Sequence, residues 1–365
     1  MTRIRTAEPV HYTDGRPSCR WRLEAQDQGL VFPYGHGPKN CDVLGTREAW
    51  VFEHGGLYYM TYDGAGPKGW LACLATSRDL VTWERLGPIL DFGEPGSPDS
   101  ATATYGTTFH HGGRWHMFYL GSPNASPAPD YVPMFPYLTL KAEADSPEGP
   151  WRKRYDITPW RLGPGTYYEA TASPGRIIEH GGEFLQYFSA SVSRDFGRGF
   201  TECKRTLGIA RTTNLDGSWT LDPEPLAPLD DQIENSDLYY EEANGTWFLF
   251  TNHIGILPEG AAVPEVAEAG AEYTDAVWVY WTKDPNHWDP KNKAVVLDGR
   301  NCTWSKQCIG LPGVVKVGDR LAILYDAPGG DSVSHMRRSI GLAWLNLPLV
   351  SPTDSLPSAR CTSCP

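Results

Sequence analysis

One pattern of apolar and polar positions recurs along this chain. A short apolar run, a tight turn and a longer apolar or aromatic run appear as "FEHGGLYYMTY" at 52–62, "FHHGGRWHMFY" at 109–119 and "IEHGGEFLQYF" at 178–188. Looser copies follow as "EEANGTWFLF" at 241–250 and "VKVGDRLAILY" at 315–325. Two apolar runs joined by Gly-Gly, Asn-Gly or Gly-Asp predict a β-hairpin, because such turns need positive φ, which Gly and Asn reach cheaply. Each hairpin is followed by a third strand and a Ser/Asp-rich turn leading into a Trp-bearing strand. The endings read "LACLATSRDLVTWERLG", "LTLKAEADSPEGPWRKR", "LGIARTTNLDGSWTLDP" and "VWVYWTKDPNHWDPKNK", with a truncated last copy, "RSIGLAWLNLPL". The turns at Gly56, Gly113, Gly182, Gly245 and Asp319 are 57, 69, 63 and 74 residues apart. Four-stranded units repeated in this way predict an all-β, five-bladed β-propeller of antiparallel blades around a central axis.

The predicted inner hairpins lie near 48–62, 105–119, 173–188, 236–250 and 311–325. Residues 19–25, "CRWRLEA", are expected to close the ring against the last blade and leave no free sheet edge. The propeller then occupies 1–351 as one domain, and 352–365 form a Ser/Pro-rich tail expected to be flexible. Large all-β architectures use a length of 365 residues as one domain.

Charge changes the picture of partners. Lys plus Arg number 32 against 44 Asp plus Glu, a formal net charge of −12. Nucleic acid and anionic membranes reward clustered Lys and Arg, so neither is expected as a partner. No apolar stretch reaches bilayer-spanning length, and "MTRIRTAEPVHYTDGRPS" has no signal-peptide pattern. The expected compartment is the cytoplasm, or the periplasm or exterior if a leader has been removed.

Three features invite a metal reading. His54, His111 and His180 repeat in register, but as hairpin-tip residues they are expected to be exposed and far from any shared centre. Cys302/Cys308 and Cys361/Cys364 are close pairs that spacing alone would allow to hold zinc, yet the second pair ends the tail. No cofactor is therefore required, although the axis of such a fold has room for a structural cation.

Residues just ahead of each inner strand line one mouth of a propeller, and acids stand there in some repeats. Glu48 lies in "GTREAWVF", Glu169 in "TYYEATASPGRII", and Glu234 with Asp237 in "QIENSDLYY". Repeat two offers only the more distant Asp99, and "CIGLPGVV" of repeat five has none. Paired carboxylates can divide general acid and general base work between them. A third acid nearby would push their pKa values apart.

On these residues the chain resembles the five-bladed β-propeller glycosidases, glycoside hydrolase family 43 and relatives such as families 32, 62, 117 and 130. The register of "REAWVFEHGGLYYMTY" is similar to their opening "DPxV…G.YYL.Y" strand, with Glu48 where they carry a catalytic Asp. "TSRDLVTWERLG" resembles their "S.DL..W...G" ending, and "IENSDLYYEEANGTWFLF" the blade holding their general-acid Glu. The resemblance implies Glu48 as base, Glu234 as acid, and inversion at the anomeric carbon. It also departs from the pattern: Glu replaces Asp at 48, and Glu234 stands two residues before the register of Ser236. Ser173 holds the place of the pKa-setting Asp, making Glu169 the nearest acid, and repeat five lacks the "HG" motif. A distant member is implied. Asp42 would inherit the base role under another register, and Asp237 or His253 the acid role.

The remaining expected contacts to a carbohydrate are Arg47, Asp42, Tyr168, His253, Asp275, Trp304 and His335, with Tyr167 also able to stack on a sugar ring. The insertion at 254–276 is read as a wall or lid of the pocket. Two other functions share the scaffold: a non-catalytic carbohydrate- or protein-binding propeller, which has no use for facing acids, and a glycoside phosphorylase or transferase. A phosphorylase needs a basic phosphate pocket, and no Arg/Lys/His cluster is visible in the linear sequence.

Overall fold

The computed structural model describes residues 1–196, 201–257 and 272–354. Among these the structure is strands and connections, with two 3₁₀ turns and no α-helix. The predicted repeats appear as antiparallel strand sets. Repeat one comprises Gly45–His54, Leu57–Gly66, Gly69–Ser77 and Trp83–Pro88, and repeat two Thr102–His111, Arg114–Ser122, Leu138–Ala144 and Arg152–Lys153. A short parallel pairing, Trp70↔Thr102 and Leu71↔Ala103, merges these two sets into one eight-stranded sheet. In repeat three, Thr171–Ser173 and Ile177–His180 both pair with Glu183–Asp195, followed by Thr201–Thr212 and Thr220–Leu221. Repeat four runs Ile233–Glu241, Thr246–Ile256, Glu272–Thr282 and Lys293–Leu297; repeat five runs Gly310–Val317, Arg320–Ala327 and Ser339–Asn346.

The hairpin turns form as the sequence predicts. Both glycines of each Gly-Gly turn have positive φ: 61° and 78° at Gly55-Gly56, 60° and 76° at Gly112-Gly113, 64° and 85° at Gly181-Gly182. His54, His111 and His180 do not converge. His54 packs edge-on against Trp115 at 5.1 Å, His111 against Phe184 at 4.9 Å and His180 against Trp247 at 6.3 Å. Each aromatic partner stands two residues past the turn glycine of the next repeat, so the repeated histidine clasps neighbouring hairpins. The Trp of the fourth-strand ending also has a recurrent job. Its indole N–H donates to a turn carbonyl just upstream: Trp83 to Leu80, Trp151 to Pro147 and Trp288 to Pro285.

The N-terminal strand assignment requires a correction. Cys19–Arg22 joins the edge of repeat four, alongside Lys293–Leu297, and does not reach repeat five. The strand that pairs antiparallel with Ser339–Asn346 is Gln26–Phe32. Its exposure does not alternate strictly: Gly29 and Phe32 are buried and Leu30 between them is exposed, because the register to Ser339–Asn346 slips twice.

The core lies between sheets. Ala72, Ala103 and Met117 join repeats one and two; Phe118 and Phe188 join two and three; Leu185, Leu207 and Trp278 join three and four. Phe248, Val277 and Ile323 join four and five, and Val51, Met60, Leu324 and Leu342 join five and one. Every repeat thus buries an apolar face against two neighbours. The first strands come closest together: a Cβ built on Gly313 would sit 2.1 Å from the Ala49 carbonyl oxygen, so only glycine permits that approach.

Candidate functional site

The site grows out of an irregularity shared by the first strands. In repeats one, two, four and five the ladder to the second strand slips by one residue, giving β-bulges at Glu48-Ala49, Tyr105-Gly106, Asn235-Ser236 and Leu311-Pro312. The first residue of each bulge is left-handed, with φ of 55°, 44°, 56° and 55°. Such a residue leaves the pleat, so its side chain is re-aimed and its N–H lost to the ladder. In repeat three the same region is the break between Ser173 and Ile177.

Three of the orphaned N–H groups are captured from the neighbouring repeat. Tyr105 donates to Asp63 at 2.6 Å, Asn235 to Ser189 Oγ at 2.9 Å, and Glu48 to Asp326 at 3.1 Å. Asp237, the residue after the bulge in repeat four, works similarly, accepting the Val314 N–H at 2.7 Å and Arg176 at 3.1 Å. Asp63, Asp237 and Asp326 are all essentially inaccessible to solvent.

Glu48 is half-buried, touched by solvent but walled by protein. Burial first, then the charges of Asp63, Glu234 and Asp326, push its carboxyl well above the usual carboxylate range, with Arg47 opposing. Glu234, from repeat four, therefore lies within electrostatic reach of Glu48. It accepts a hydrogen bond from Arg205 at 2.6 Å, whose other nitrogens hold Glu272 at 2.9 and 3.1 Å. Burial raises Asp63 to about 7 against hydrogen bonds from Thr104 and the Tyr105 N–H, and raises Asp237 to about 6. Tyr105 faces the same acids, and burial followed by Glu48 drives its phenol upward.

The basic residues also converge. Arg47 is hydrogen-bonded to the His335 ring at 2.5 Å and lies 3.6 Å from Asp326, which Arg338 contacts at 2.6 Å. Burial, with Arg47, Arg338 and Arg205, holds His335 well below the usual histidine range, so it is neutral near pH 7. The Arg/His cluster invisible in the linear sequence is thus assembled by the fold.

Other candidates lie elsewhere. Glu169 caps its own turn, accepting the Gly165 N–H at 3.0 Å; the third acid beside Glu48 is Asp63. Asp42 is fully buried in an ion pair with Arg85 at 2.5 Å. His253 and Asp275 form a buried cluster with Arg16, which donates to Asp275 at 2.8 Å and bonds the His253 ring at 2.9 Å. His253 stacks on Trp278 at 3.8 Å, and burial lowers its basicity. Tyr167 and Tyr168 pack against Phe188, and Trp304 donates its indole N–H to Tyr325 at 2.7 Å. Of the 254–276 insertion, residues 258–271 lie outside the described residues, as do Cys361 and Cys364; its roots continue the strands, with Ile256 pairing Glu272. Cys302 and Cys308 are buried free thiols, and no group of three metal-ligating side chains occurs among the described residues.

Sequence reasoning missed Asp63, Asp326, Tyr105, Arg205 and Glu272. A signal existed for the first two: with the turns aligned, "TYDG" and "LYDA" put Asp63 and Asp326 seven residues past Gly56 and Asp319.

No family model matches the chain. It is similar to a number of solved glycoside hydrolase structures. One glycoside hydrolase aligns with a TM-score of 0.62 at 14% identity, over 90% of this chain and 94% of that one. A thermostable family-43 glycoside hydrolase gives 0.57 at 16%, over 87% and 93%. The endo-arabinase of Bacteroides thetaiotaomicron gives 0.56 at 13%, over 88% and 99%. At these identities the likeness establishes a shared all-β fold. In sequence, the chain is 38% identical over 53 residues to a 1,2-beta-oligomannan phosphorylase of Thermoanaerobacter sp. (strain X514); that match spans 14% of this chain and 18% of the relative.

Proposed function

We propose that the protein is a glycoside hydrolase whose five repeats are the blades of a single closed β-propeller, with its acids gathered at the axis. The shared core between every successive pair of repeats, five and one included, supports the closed arrangement. The pairing of Gln26–Phe32 with repeat five supports it independently. The observation that carries the functional reading is the unequal environment of two carboxyls within electrostatic reach of each other. Glu48 is driven toward its protonated form by burial and the charges of Asp63, Glu234 and Asp326, whereas Glu234 is ion-paired with Arg205 at 2.6 Å.

This inequality assigns roles opposite to those the family resemblance implies. Glu48 is the proton donor to the leaving oxygen, and Glu234 is the carboxylate that activates water. A glycosidase needs one carboxyl of each kind at a single pH. The test compares two variants on an activated aryl glycoside and on a natural linkage. Glu48→Gln should retain most turnover of the activated substrate and lose the natural one by about 10²–10⁴-fold, the usual worth of general acid catalysis. Glu234→Gln should lose both. The reverse pattern would restore Glu48 as base. With water supplied opposite the leaving group, the product should emerge with inverted anomeric configuration, which NMR of the first product reads directly.

A second reading is a glycoside phosphorylase. The convergence of Arg47, Arg205, Arg338 and His335 beside Glu48 favours it, and so does the 53-residue similarity to a phosphorylase. Glu48 keeps its role as acid there, and inorganic phosphate replaces water as nucleophile. Phosphate-dependent release of a glycosyl phosphate separates the two readings.

A further inference from the structure

We infer that Asp326 is a positioning residue for Glu48, acting across the junction between repeats five and one. This rests on the reading of Glu48 as a catalytic acid. A left-handed φ of 55° costs a non-glycine residue free energy, and the bulge removes the Glu48 N–H from the ladder to Leu57–Gly66. A strained peptide whose N–H lies outside the ladder would relax unless something outside its own strand held it. Asp326 supplies that hold: one carboxylate oxygen accepts the Glu48 N–H at 3.1 Å, and the other accepts Arg338 at 2.6 Å.

Three further observations make this a device of the fold. The same grip recurs at Asp63 on Tyr105 and at Ser189 on Asn235, each time from the second strand of one repeat to the bulge of the next. Asp63, Ser189 and Asp326 occupy one register, seven residues past the last turn residue of their hairpins. Finally, Asp326 is anchored: it is fully buried, within 3.6 Å of Arg47, and Arg338 is itself fixed by Thr274 at 2.9 Å. A carboxylate so held can neither rotate away nor exchange its partner for water. The direction of the Glu48 side chain is thus set by a residue of another repeat, 278 positions away in sequence.

The experiment compares Asp326→Ala, which removes the acceptor, with Asp326→Asn, which keeps an oxygen acceptor of the same shape. Both are assayed on the natural linkage, where the leaving oxygen needs the Glu48 proton, beside Glu48→Gln on the same substrate. The expected result is a fall in kcat of at least about tenfold in Asp326→Ala with KM within about threefold, and recovery to within about threefold of wild type in Asp326→Asn. A purely structural role would move melting temperature without splitting kcat from KM and without rescue. Unchanged kcat in Asp326→Ala would overturn the inference, as would equal losses in both variants. Should Asp326→Ala not fold, the crystal structure of Asp326→Asn decides. Retained kcat with residue 48 still left-handed supports the inference, and lost kcat with residue 48 unmoved refutes it. Glu48→Gln keeps the two failures apart. Full turnover there removes Glu48 from catalysis, whereas its collapse beside an active Asp326→Ala removes only the positioning role.

Discussion

Asp63 shows how one buried side chain ties stability to pH at this site. Its folded-state value of about 7 lies above the ordinary carboxyl value of 3.8, so folding binds a proton there. That contribution is complete below the unfolded-state value and disappears as pH rises through the folded-state one. Asp63→Asn is permanently neutral and still offers an oxygen to the Tyr105 N–H. The variant should therefore gain on wild type between about pH 4 and pH 8, by up to ~4 kcal/mol if the whole shift is expressed. Denaturant unfolding of both proteins across that range measures the gain, and parallel pH profiles would refute it. Asp63→Ala also strips the bulge N–H of its acceptor and should cost about 1–3 kcal/mol more. Glu48 was legible in the sequence because its distance from the Tyr58-Tyr59 run fixes a strand register. Asp63 and Asp326 share a register that aligning the turns exposes, but their role was not legible: it depends on bulges that no residue type announces, since Glu48, Tyr105, Asn235 and Leu311 share a backbone conformation and nothing else.

The element most plainly written in the sequence is the hairpin. Gly-Gly between apolar runs dictates φ > 0 at two successive positions, and both glycines adopt it in all three copies. The histidine before them carried no such local signal, because its partner belongs to the following repeat. Two expectations follow from the clasp. Gly56→Ala should destabilise by about 1–2 kcal/mol through its left-handed φ of 78°, with turnover unchanged. His54→Ala and His111→Ala should each cost about 0.5–1 kcal/mol, the worth of an aromatic edge contact. Neither should alter bound metal. Chelator-sensitive melting that vanishes in His54→Ala would revive the metal reading of the repeat. Cys19–Arg22 illustrates the opposite limit of legibility. A four-residue strand with both apolar and charged residues fits any sheet edge, and what decides its place is how far the chain has travelled from the N-terminus.

At the scale of the whole molecule the N-terminal segment stitches distant parts of the chain together. Gln26–Phe32 covers the edge of Ser339–Asn346, and Phe32 enters the core shared by repeats five and one. Upstream, Arg16 and Asp14 anchor on Asp275 and the Ile256 N–H of repeat four, and Thr2–Arg3 pairs with Leu349–Val350. Removing residues 1–10 takes away the pairing of Arg5–Val10 with Cys19–Arg22 and the buried Ile4 of the core shared by repeats four and five, and should leave a folded protein with a clearly lower melting temperature. Removing residues 1–32 exposes a long apolar strand edge and empties part of a core. That protein should aggregate or fail to fold cooperatively. A gentler version keeps the chain intact: Leu30→Pro deletes a backbone N–H in the closing strand, where Leu30 faces Gly341 and its side chain is exposed. If closure holds the ring, hydrogen exchange in this variant should accelerate in Ser339–Asn346 and also in Gly45–His54, across the shared core. Because Glu48 is gripped by Asp326 over that same junction, kcat should fall with it. Faster exchange confined to residues 26–32 and 339–346, with kcat intact, would mean that the junction bearing Glu48 stands without the N-terminal strand.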